Sequence, residues 1–521
     1  MSTAEARLYD EVPYESGPYA ETHPDSLATV ATLFGMTPPG IRACRVLELG
    51  CARGSNVIPM ALGLPEGRFV GLDFSPRQIA DGQRTIDALG LRNIDLRVMN
   101  LLDVDRQLGE FDYIVCHGVF SWVPRLVQDK ILAICSAHLR PDGVAYVSYN
   151  TYPGWHGRRM VREMVLDHVD AAAPPRERVR QAREFLEVLG QSCSRPTSPF
   201  AESIKSEWRL WQKLPDECIL HDPLGDVNEP VYFHEFVGRA AEHRLQFIAE
   251  AELWDSAGAP PEKVRQSPLC CPGDLVRREQ HLDFLRGRTF RRSLLCHEGA
   301  RLNREPQPEL IERFLLEGRA IPVESRGSDA PSVLQFRTDE GVTLSTSKPW
   351  VKAALLTLFD RWPRLIAFDE LYLQARRHLH SPRDLELDPL QDPTVLKEPL
   401  LRCALIGLVG LHLHPRSEVA EVSERPRASP LARLQAKEGA NVTTLRHRRL
   451  ALNEFDRQVL LRLDGRQTHA ELLQALSASA DSGEISFAGL PGDGAEPSPE
   501  VLSRLLAKTL RRLARSGLLA G

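Results

Sequence analysis

Short apolar runs alternate with helical stretches between Cys44 and Asn150. This alternation limits the possible folds of the chain more than any other feature of the sequence. The runs RVLEL, RFVGLD, IDLRVM, FDYIVC and GVAYVSY carry the β-branched and aromatic residues typical of strands. Residues with helical spacing lie between them, over 55–64, 76–89 and 127–139. A βαβ series of this kind predicts a parallel sheet covered by helices on both faces.

The stretch VLELGCARGSN, residues 46–56, lies where the first predicted strand passes into the first predicted helix. Gly50 and Gly54 permit a tight turn and let a ligand lie against the backbone, while Glu48 can accept hydrogen bonds or hold a cationic group. The loop has one glycine fewer than the dinucleotide fingerprint GxGxxG, because Ala52 stands between Gly50 and Gly54, so a pyrophosphate-binding loop is not indicated. Cys51 has no base near it in sequence and is interpreted as a small residue of the loop rather than a nucleophile.

Polar side chains follow the next three predicted strands. Asp73 ends RFVGLD about 20 residues beyond the glycines, where a carboxylate can accept both ribose hydroxyls of an adenosine. Asn100 and Leu101 follow IDLRVM and are placed to touch an adenine, and His117 and Trp122 follow FDYIVC. Because ligands of such sheets bind beyond the carboxyl ends of the strands, we expect these residues to converge on one crevice.

The motifs ELGCARG at 48–54 and GLDFS at 71–75, with the strand ends after them, resemble the Rossmann-like class I S-adenosylmethionine-dependent methyltransferases. The resemblance implies that S-adenosyl-L-methionine is the cofactor, with the glycine loop under its methionine part and the acidic residue after the second strand on its ribose. It also implies that the third and fourth strand ends flank the adenine and the site of methyl transfer. The cofactor-binding residues expected on this basis are Glu48, Gly50, Cys51, Gly54, Asn56, Asp73, Phe74, Asn100, Leu101 and His117.

Four longer stretches are similar to bacterial proteins that carry a methyltransferase regulatory domain, among them the protein lysine methyltransferases that modify surface proteins of rickettsiae. They are PYESGPYAETHPDSLATVATLFGM, HGVFSWVP, SYNTYPGWHGRRMVREMV and EQHLDFLRGRTFRRSLLCH, and the similarity covers nearly the whole chain. This implies methyl transfer to lysine side chains of a protein or peptide. The [DN]PP[YF] signature of many amide and amine methyltransferases is absent from the fourth strand end, where HGVFSWVP stands.

A lysine acceptor must lose a proton before it can attack, and a desolvated aromatic pocket favours the neutral amine. Aromatic faces also attract the methylated cation. Two alternatives stay open: a methyltransferase for a small metabolite or biosynthetic peptide that acts on oxygen or another nitrogen, and a catalytically silent cofactor-binding regulator. We predict Trp122, Tyr152 and His117 as catalytic residues, and further aromatic rings placed to wall the acceptor site are Tyr14, Tyr19, Tyr149 and Trp155.

The chain after Asn150 is organised differently. Charged stretches with apolar residues at helical spacing over 158–170 and 175–189 predict a helical lid, and TFRRSLLCHE is expected as the last strand of the sheet. We expect an N-terminal cap segment over 1–40, a Rossmann-like core over 41–155, a helical lid or regulatory insertion over 156–230, closing strands of the core over 231–300 and a mostly helical, winged-helix-like region over 301–521.

Two related phrases in the last two hundred residues predict a diverged pair of helix-turn-helix or winged units. They are LLTLFDRWPRLIAFDEL at 355–371 and VLLRLDGRQTHAEL at 459–472, joined by a linker at 414–429. Thr468 and Glu471 have the spacing of a capping box that opens a helix. The region shows no basic recognition helix, so we favour docking to protein or within the chain over DNA binding.

Three further expectations concern this tail. The stretch 482–500 is interpreted as a mobile loop, and the basic run TLRHRRL at 444–450 as a solvated face. Residues 301–521 are expected to be removable without loss of cofactor binding.

The charge balance excludes some partners. The formal net charge of −5 gives no global attraction to nucleic acid or an anionic membrane, and no apolar run reaches the ~18 residues of a membrane span. The ten cysteines are scattered without a CxxC pair, which indicates reduced thiols and no metal site. We therefore expect a cytoplasmic protein with a protein or peptide acceptor, no nucleic acid and no membrane partner, while a homodimer stays open.

Overall fold

The centre of the computed structural model is one large β-sheet. The structure describes residues 11–192, 198–254, 267, 271, 273–323, 333–379, 393–419, 421–481 and 498–520. The strands of the large sheet are β1 (Arg45–Leu49), β2 (Arg68–Asp73), β3 (Ile94–Val98), β4 (Phe111–Cys116), β5 (Leu139–Asn150), β6 (Leu245–Glu250) and β7 (Phe290–His297).

The strand order places all the predicted ligand-binding ends on one edge. The order is β3-β2-β1-β4-β5-β7-β6, and β1 to β5 run parallel while β7 pairs antiparallel with both β5 and β6. The predicted parallel sheet is confirmed, and so is TFRRSLLCHE as a strand that closes it. Because β1 lies beside β4, the chain reverses direction across the sheet between these strands, which opens a crevice at their carboxyl ends.

Helices cover both faces of this sheet, as predicted. One example is the helix Pro76–Leu89, which begins after Ser75, whose hydroxyl accepts from the Gln78 backbone N–H, and ends at the left-handed Gly90. The helices of the first three hundred residues are α1 (Pro24–Leu33), α2 (Val57–Gly63), α3 (Pro76–Leu89), α4 (Arg125–His138), α5 (Trp155–His168), α6 (Pro175–Ser192), α7 (Pro199–Trp211), α8 (Asp216–His221), α9 (Phe233–Glu242) and α10 (Leu275–Arg286).

Helices α5 to α8 form a separate small layer with its own apolar core, and we call these four helices the lid. Val161 and Val165 of α5 pack with Leu186 of α6, Ile204 of α7 and Ile219 of α8, and all five side chains are fully or almost fully buried. The helical stretches predicted after Asn150 are therefore confirmed, while the domain boundaries given above remain predictions.

The C-terminal region contains two further apolar cores. The first is built from residues 311–411 together with Leu33 of α1, and the second from residues 428–519. The elements are β8 (Leu315–Gly318), β9 (Ile321–Val323), β10 (Leu334–Arg337), β11 (Thr343–Thr346), α11 (Pro349–Arg361), β12 (Ile366–Ala367), α12 (Phe368–Ala375), α13 (Thr394–Leu405), β13 (Val409–His412), β14 (Arg427–Ala428), α14 (Pro430–Glu438), β15 (Asn441–Thr443), β16 (Arg449–Ala451), α15 (Glu454–Arg462), α16 (His469–Asp481), α17 (Pro499–Arg515) and β17 (Leu519–Ala520).

The predicted helix-turn-helix phrases correspond to α11 with α12 and to α15 with α16. The capping box is present, because the Thr468 backbone N–H donates to the Glu471 carboxylate at 2.7 Å and the Glu471 N–H donates to the Thr468 hydroxyl at 3.3 Å. Most of the loop predicted at 482–500 lies outside the described residues. No helix of the described ranges has the length and apolar character needed to cross a membrane.

The basic run TLRHRRL is largely not a solvated face, so that prediction is wrong for three of its residues. Thr444 and His447 are buried, and the Nε atom of Arg446 lies 2.9 Å from a carboxylate oxygen of Glu418. The guanidinium of Arg446 also lies over the Trp362 ring. The charge of this arginine is neutralised by an acidic residue from an earlier part of the tail, which the run itself does not reveal.

Candidate active site

A cavity of about 550 Å³ lies at the carboxyl ends of the parallel strands, between the sheet and the lid. Its volume is typical of small-molecule sites. Of the predicted site residues, all except Gly54 and Tyr152 line it. They are Glu48, Gly50, Cys51, Asn56, Asp73, Phe74, Asn100, Leu101, His117 and Trp122.

The glycine loop is held open by its backbone conformation. Gly50 has a φ of 71°, and a Cβ atom there would lie 2.4 Å from the Val119 side chain. The N–H groups of Gly50 and Cys51 both donate to the Leu72 carbonyl, at 2.8 and 3.0 Å. Gly54 has a φ of 75° and faces neighbouring side chains rather than the cavity. It therefore affects the site only through the backbone path of the loop.

Glu48 carries a buried acceptor atom that fits a cationic ligand group. Its side chain is 4% exposed, and its Oε1 accepts from Asn56 Nδ2 at 2.7 Å. Within the described residues Oε2 has no hydrogen-bond partner. Burial raises the pKa of this carboxyl to about 8, against a smaller lowering by the Asn56 bond. The ammonium of a methionine moiety would supply the missing partner.

Asp73 fixes the same loop to the end of β2. One carboxylate oxygen accepts from the Ala52 N–H at 2.8 Å and the other from the Ser75 N–H at 3.0 Å. A carboxylate oxygen has more than one acceptor position, so these bonds leave Asp73 able to accept ribose hydroxyls. The carboxylate therefore has both a structural role and the predicted place beside the ligand.

The residues after β3 form an apolar slot beside Asp73. Met99 and Leu101 line the cavity there with Phe74. The Asn100 side chain accepts from the Leu102 N–H at 3.1 Å and so fixes the short turn that carries Leu101. Apolar side chains at this position fit the faces of an adenine ring.

The His117 ring forms part of the cavity wall and is contacted by two tyrosine side chains. Its Nδ1 lies 2.8 Å from the Tyr146 hydroxyl, and its ring stacks on Tyr19 with 3.7 Å between the ring centroids. Burial, and then the charge of Arg292, lower the pKa of His117 to about 3. The ring is therefore neutral near pH 7, and a catalytic role for it stays a prediction.

The predicted aromatic residues separate into two groups. Trp122 and Trp155 line the cavity in an edge-to-face arrangement with 6.0 Å between ring centroids. Tyr152 instead stacks on His156 at 4.2 Å, and its hydroxyl accepts from Arg159 at 3.2 Å. The chain turns after β5, so the Tyr152 ring packs on the outer side of α5 and is not among the residues that line the cavity.

Several cavity residues were not predicted from the sequence as site residues, among them Glu207 and Trp211 of α7, and Asp222, which follows α8. Trp211 donates through Nε1 to the Glu207 carboxylate at 3.3 Å, and Tyr14 donates to the Asp222 carboxylate at 3.3 Å. In sequence these acids are ordinary charged residues of amphipathic helices. They become cavity residues only because the lid packs over the strand ends.

The residues present fit S-adenosylmethionine. Glu48 suits the ammonium, Asp73 the ribose, and the slot at Leu101 the adenine. No group of three or more His, Cys, Asp or Glu side chains is arranged to hold a metal ion among the described residues.

Comparison with known proteins agrees with this geometry. Three family models match the chain: a methyltransferase domain over residues 47–145, a predicted methyltransferase regulatory domain over 215–297 and the C-terminal winged helix domain of PKMT over 424–518. The protein RP789 of Rickettsia prowazekii is 35% identical over 496 residues, which cover 93% of this chain and 88% of RP789.

The architecture is also found in solved structures. The structure of PKMT2 from Rickettsia typhi is 28% identical and superposes with a TM-score of 0.86, covering 98% of this chain and all of that one. The same protein in complex with AdoHcy gives a TM-score of 0.85 with the same coverage. The chain therefore belongs to the class I S-adenosylmethionine-dependent methyltransferases that combine a methyltransferase regulatory domain with a PKMT-type C-terminal winged helix domain.

Proposed function

We propose that this methyltransferase transfers methyl groups to lysine side chains of a protein or peptide. The observation that carries the proposal is that one cavity is lined both by the strand-end residues predicted to bind the cofactor and by three indole rings, those of Trp122, Trp155 and Trp211. Aromatic rings favour a neutral amine by excluding water and attract the methylated ammonium product.

The likeness to PKMT2 supports the same acceptor class. It extends over 98% of the chain and includes the lid and the C-terminal region. A small-metabolite enzyme needs no winged-helix region of this size beyond its core. We therefore assign the acceptor to the macromolecular class.

The protein contributes to methyl transfer mainly by positioning the cofactor and the acceptor. The bound cofactor supplies a methyl group already activated on a sulfonium, so no covalent enzyme intermediate is needed. Glu48 holds the methionine end of the cofactor and Asp73 its ribose, and the loop at Gly50 lets it lie close to the backbone. Trp122 and Trp155 exclude water and hold the acceptor nitrogen in line with the methyl carbon, which is the main source of rate in such a transfer.

The test is incubation of the full chain with methyl-labelled S-adenosylmethionine and a lysate of the organism that encodes it. Label is then separated into a protein fraction and a small-molecule fraction. We expect label in protein, and none when Asp73→Ala replaces the wild-type chain. Label confined to small molecules would contradict the lysine proposal in favour of a metabolite acceptor. No label in either fraction, from a chain that binds S-adenosylhomocysteine, would favour a silent cofactor-binding regulator.

A further inference from the structure

The lid end of the cavity differs in chemistry from the cofactor end. Tyr14, the lid residues Arg158, Glu207 and Trp211, and Asp222 directly after α8 line it. Arg158 is already paired, because its Nε lies 3.2 Å from the Glu207 carboxylate and its guanidinium lies over the Trp155 ring. The charge of Glu207 is thus compensated within the lid.

The negative charge of Asp222 is not compensated by a cation in this way. Its Oδ2 accepts from the Tyr14 hydroxyl at 3.3 Å, and no Lys or Arg of the described residues lies within ion-pair distance of it. Burial raises the pKa of the Asp222 carboxyl to about 7. Burial and the negative charge of Asp222 in turn raise the pKa of Tyr14, so the phenol stays protonated and keeps donating. A buried carboxylate with only a neutral donor beside it lacks a cation.

A second observation at the same wall points to a ligand. Trp155 is 7% exposed, and its Nε1 has no hydrogen-bond partner among the described residues. A buried indole N–H without an acceptor costs free energy, so a carbonyl oxygen of a bound peptide would satisfy it. Trp122, Trp155 and Trp211 also supply the aromatic faces that attract a cation.

We propose that the lid end of the cavity is the subsite for the acceptor's side-chain ammonium, with Asp222 as the carboxylate that binds it and Tyr14 as the residue that positions Asp222. This inference rests on the proposed lysine acceptor. The ammonium gives one proton to the Asp222 carboxylate and becomes a free amine. The nitrogen lone pair then forms the bond to the methyl carbon while the carbon–sulfur electron pair stays on sulfur, which leaves a methylammonium and S-adenosylhomocysteine.

The test measures binding and needs no identified acceptor protein. Two analogues of S-adenosylhomocysteine are compared on the full chain by calorimetry, each with nitrogen in place of sulfur. One carries an ethylammonium arm on that nitrogen, which places its ammonium near the position of the attacking acceptor nitrogen, and the other carries a propyl arm of the same length. We expect the wild-type chain to bind the ammonium arm about tenfold more tightly, as a buried hydrogen bond to a charged group requires. Equal affinity for the two arms would overturn the subsite.

One variant and its matched control test whether Asp222 forms this subsite. In Asp222→Asn the preference for the ammonium arm should fall to about twofold or less, while S-adenosylhomocysteine binds as in wild type and so reports a folded core. The matched control is Asp216→Asn, since Asp216 lies in α8, is exposed and pairs with Arg183. An unchanged preference in Asp222→Asn would overturn the role of Asp222.

Tyr14→Phe keeps the carboxylate and removes only the hydroxyl. It should lose part of the preference, about threefold, and it provides a second measurement if Asp222→Asn does not fold. A full preference in Tyr14→Phe would overturn the positioning role of Tyr14.

Failure of this inference is distinct from failure of the proposed function. If the two arms bind equally while the lysate experiment labels protein, the subsite falls and the lysine function stands. If the ammonium arm is preferred while only small molecules are labelled, the subsite stands and its amine belongs to a metabolite.

Discussion

The Nε2 atom of His447, in the β15–β16 hairpin of the C-terminal region, lies 2.7 Å from the side-chain oxygen of Asn56. Asn56 in turn donates to Glu48, so two hydrogen bonds connect the tail with this cavity carboxylate. Burial, and then the neighbouring His23, hold the pKa of His447 well below its usual value. The neutral ring therefore donates through Nε2 to the amide oxygen.

His447→Ala should weaken binding of S-adenosylhomocysteine about tenfold. The substitution removes one donor from the Asn56 oxygen, which keeps the Tyr19 N–H at 3.0 Å, and loosens the amide that holds Glu48, at a cost of about 0.5–1.5 kcal/mol. Isothermal calorimetry measures the effect. Arg448→Ala, next to it on the hairpin but exposed, is the matched control and should bind as wild type. Equal affinity in the two variants would show that this contact does not support the cofactor site.

The N-terminal helix is tied to the tail by a second buried contact, which predicts a large effect on stability. Asp25 accepts from the backbone N–H groups of Leu413 and His414 at 2.7 and 2.9 Å, and its other oxygen lies 2.7 Å from His412 Nδ1. Asp25→Ala should lower the free energy of unfolding by about 3 kcal/mol, because it leaves several buried donors without an acceptor.

Urea denaturation measures this loss. The control is Asp142→Ala, at an exposed position in β5, which should leave the unfolding curve unchanged. An Asp25→Ala curve that matches the Asp142→Ala curve would contradict the prediction.

The contacts of His447 with Asn56 and of His412 with Asp25 argue against the expectation that residues 301–521 can be removed without loss of cofactor binding. His447 and His412 lie in the segment to be removed, and each is buried against the first sixty residues. We now predict that a chain ending at residue 300 binds S-adenosylhomocysteine at least tenfold more weakly than the full chain.

Asp73→Ala should weaken binding of S-adenosylhomocysteine by at least tenfold. It removes the acceptor for the ribose hydroxyls and also the acceptor of the Ala52 and Ser75 N–H groups, with a cost of about 1–3 kcal/mol for each unsatisfied group. Asp95→Ala, at an exposed residue of β3 paired with Arg97, is the control. Unchanged calorimetric affinity in Asp73→Ala would remove this residue from the cofactor site.

The pKa of Glu48 predicts how cofactor binding depends on pH. Burial raises this pKa to about 8 in the absence of ligand, so the carboxyl must lose a proton to pair with the ligand ammonium. The dissociation constant of S-adenosylhomocysteine should therefore fall as the pH rises from ~6 to ~8, where the fraction of ionised Glu48 increases. In Glu48→Gln this dependence should vanish. A wild-type affinity that is flat over the same range would contradict the assigned partner of Glu48.

The sheet could be predicted from the sequence because its signals are local. Each strand of the parallel core is a short apolar run. Polar residues such as Glu48 or Asp73 lie near the strand ends, and the residue type alone indicates that they can bind a ligand. A parallel sheet then brings those ends together without any further information. For this reason the predicted cofactor residues other than Gly54 line one cavity.

The parts that sequence reasoning missed depend on packing between distant segments. Asn56 and His447 are 391 positions apart, and nothing near either residue specifies the other. Asp222 resembles any charged residue after a helix until the lid buries it. Tyr152 was grouped with Trp122 by its place after a strand, but the turn after β5 directs its ring to the outer side of α5.

The central claim is transfer of a methyl group to a lysine nitrogen, and the most direct measurement is tandem mass spectrometry of proteins labelled by the full chain. The sample is a lysate treated with heavy-methyl S-adenosylmethionine, and the controls are the same lysate treated with Asp73→Ala or with no enzyme. We predict heavy methyl groups on lysine ε-nitrogens that are absent from both controls. Heavy methyl groups found only on other residues, or only on small molecules, would contradict the account.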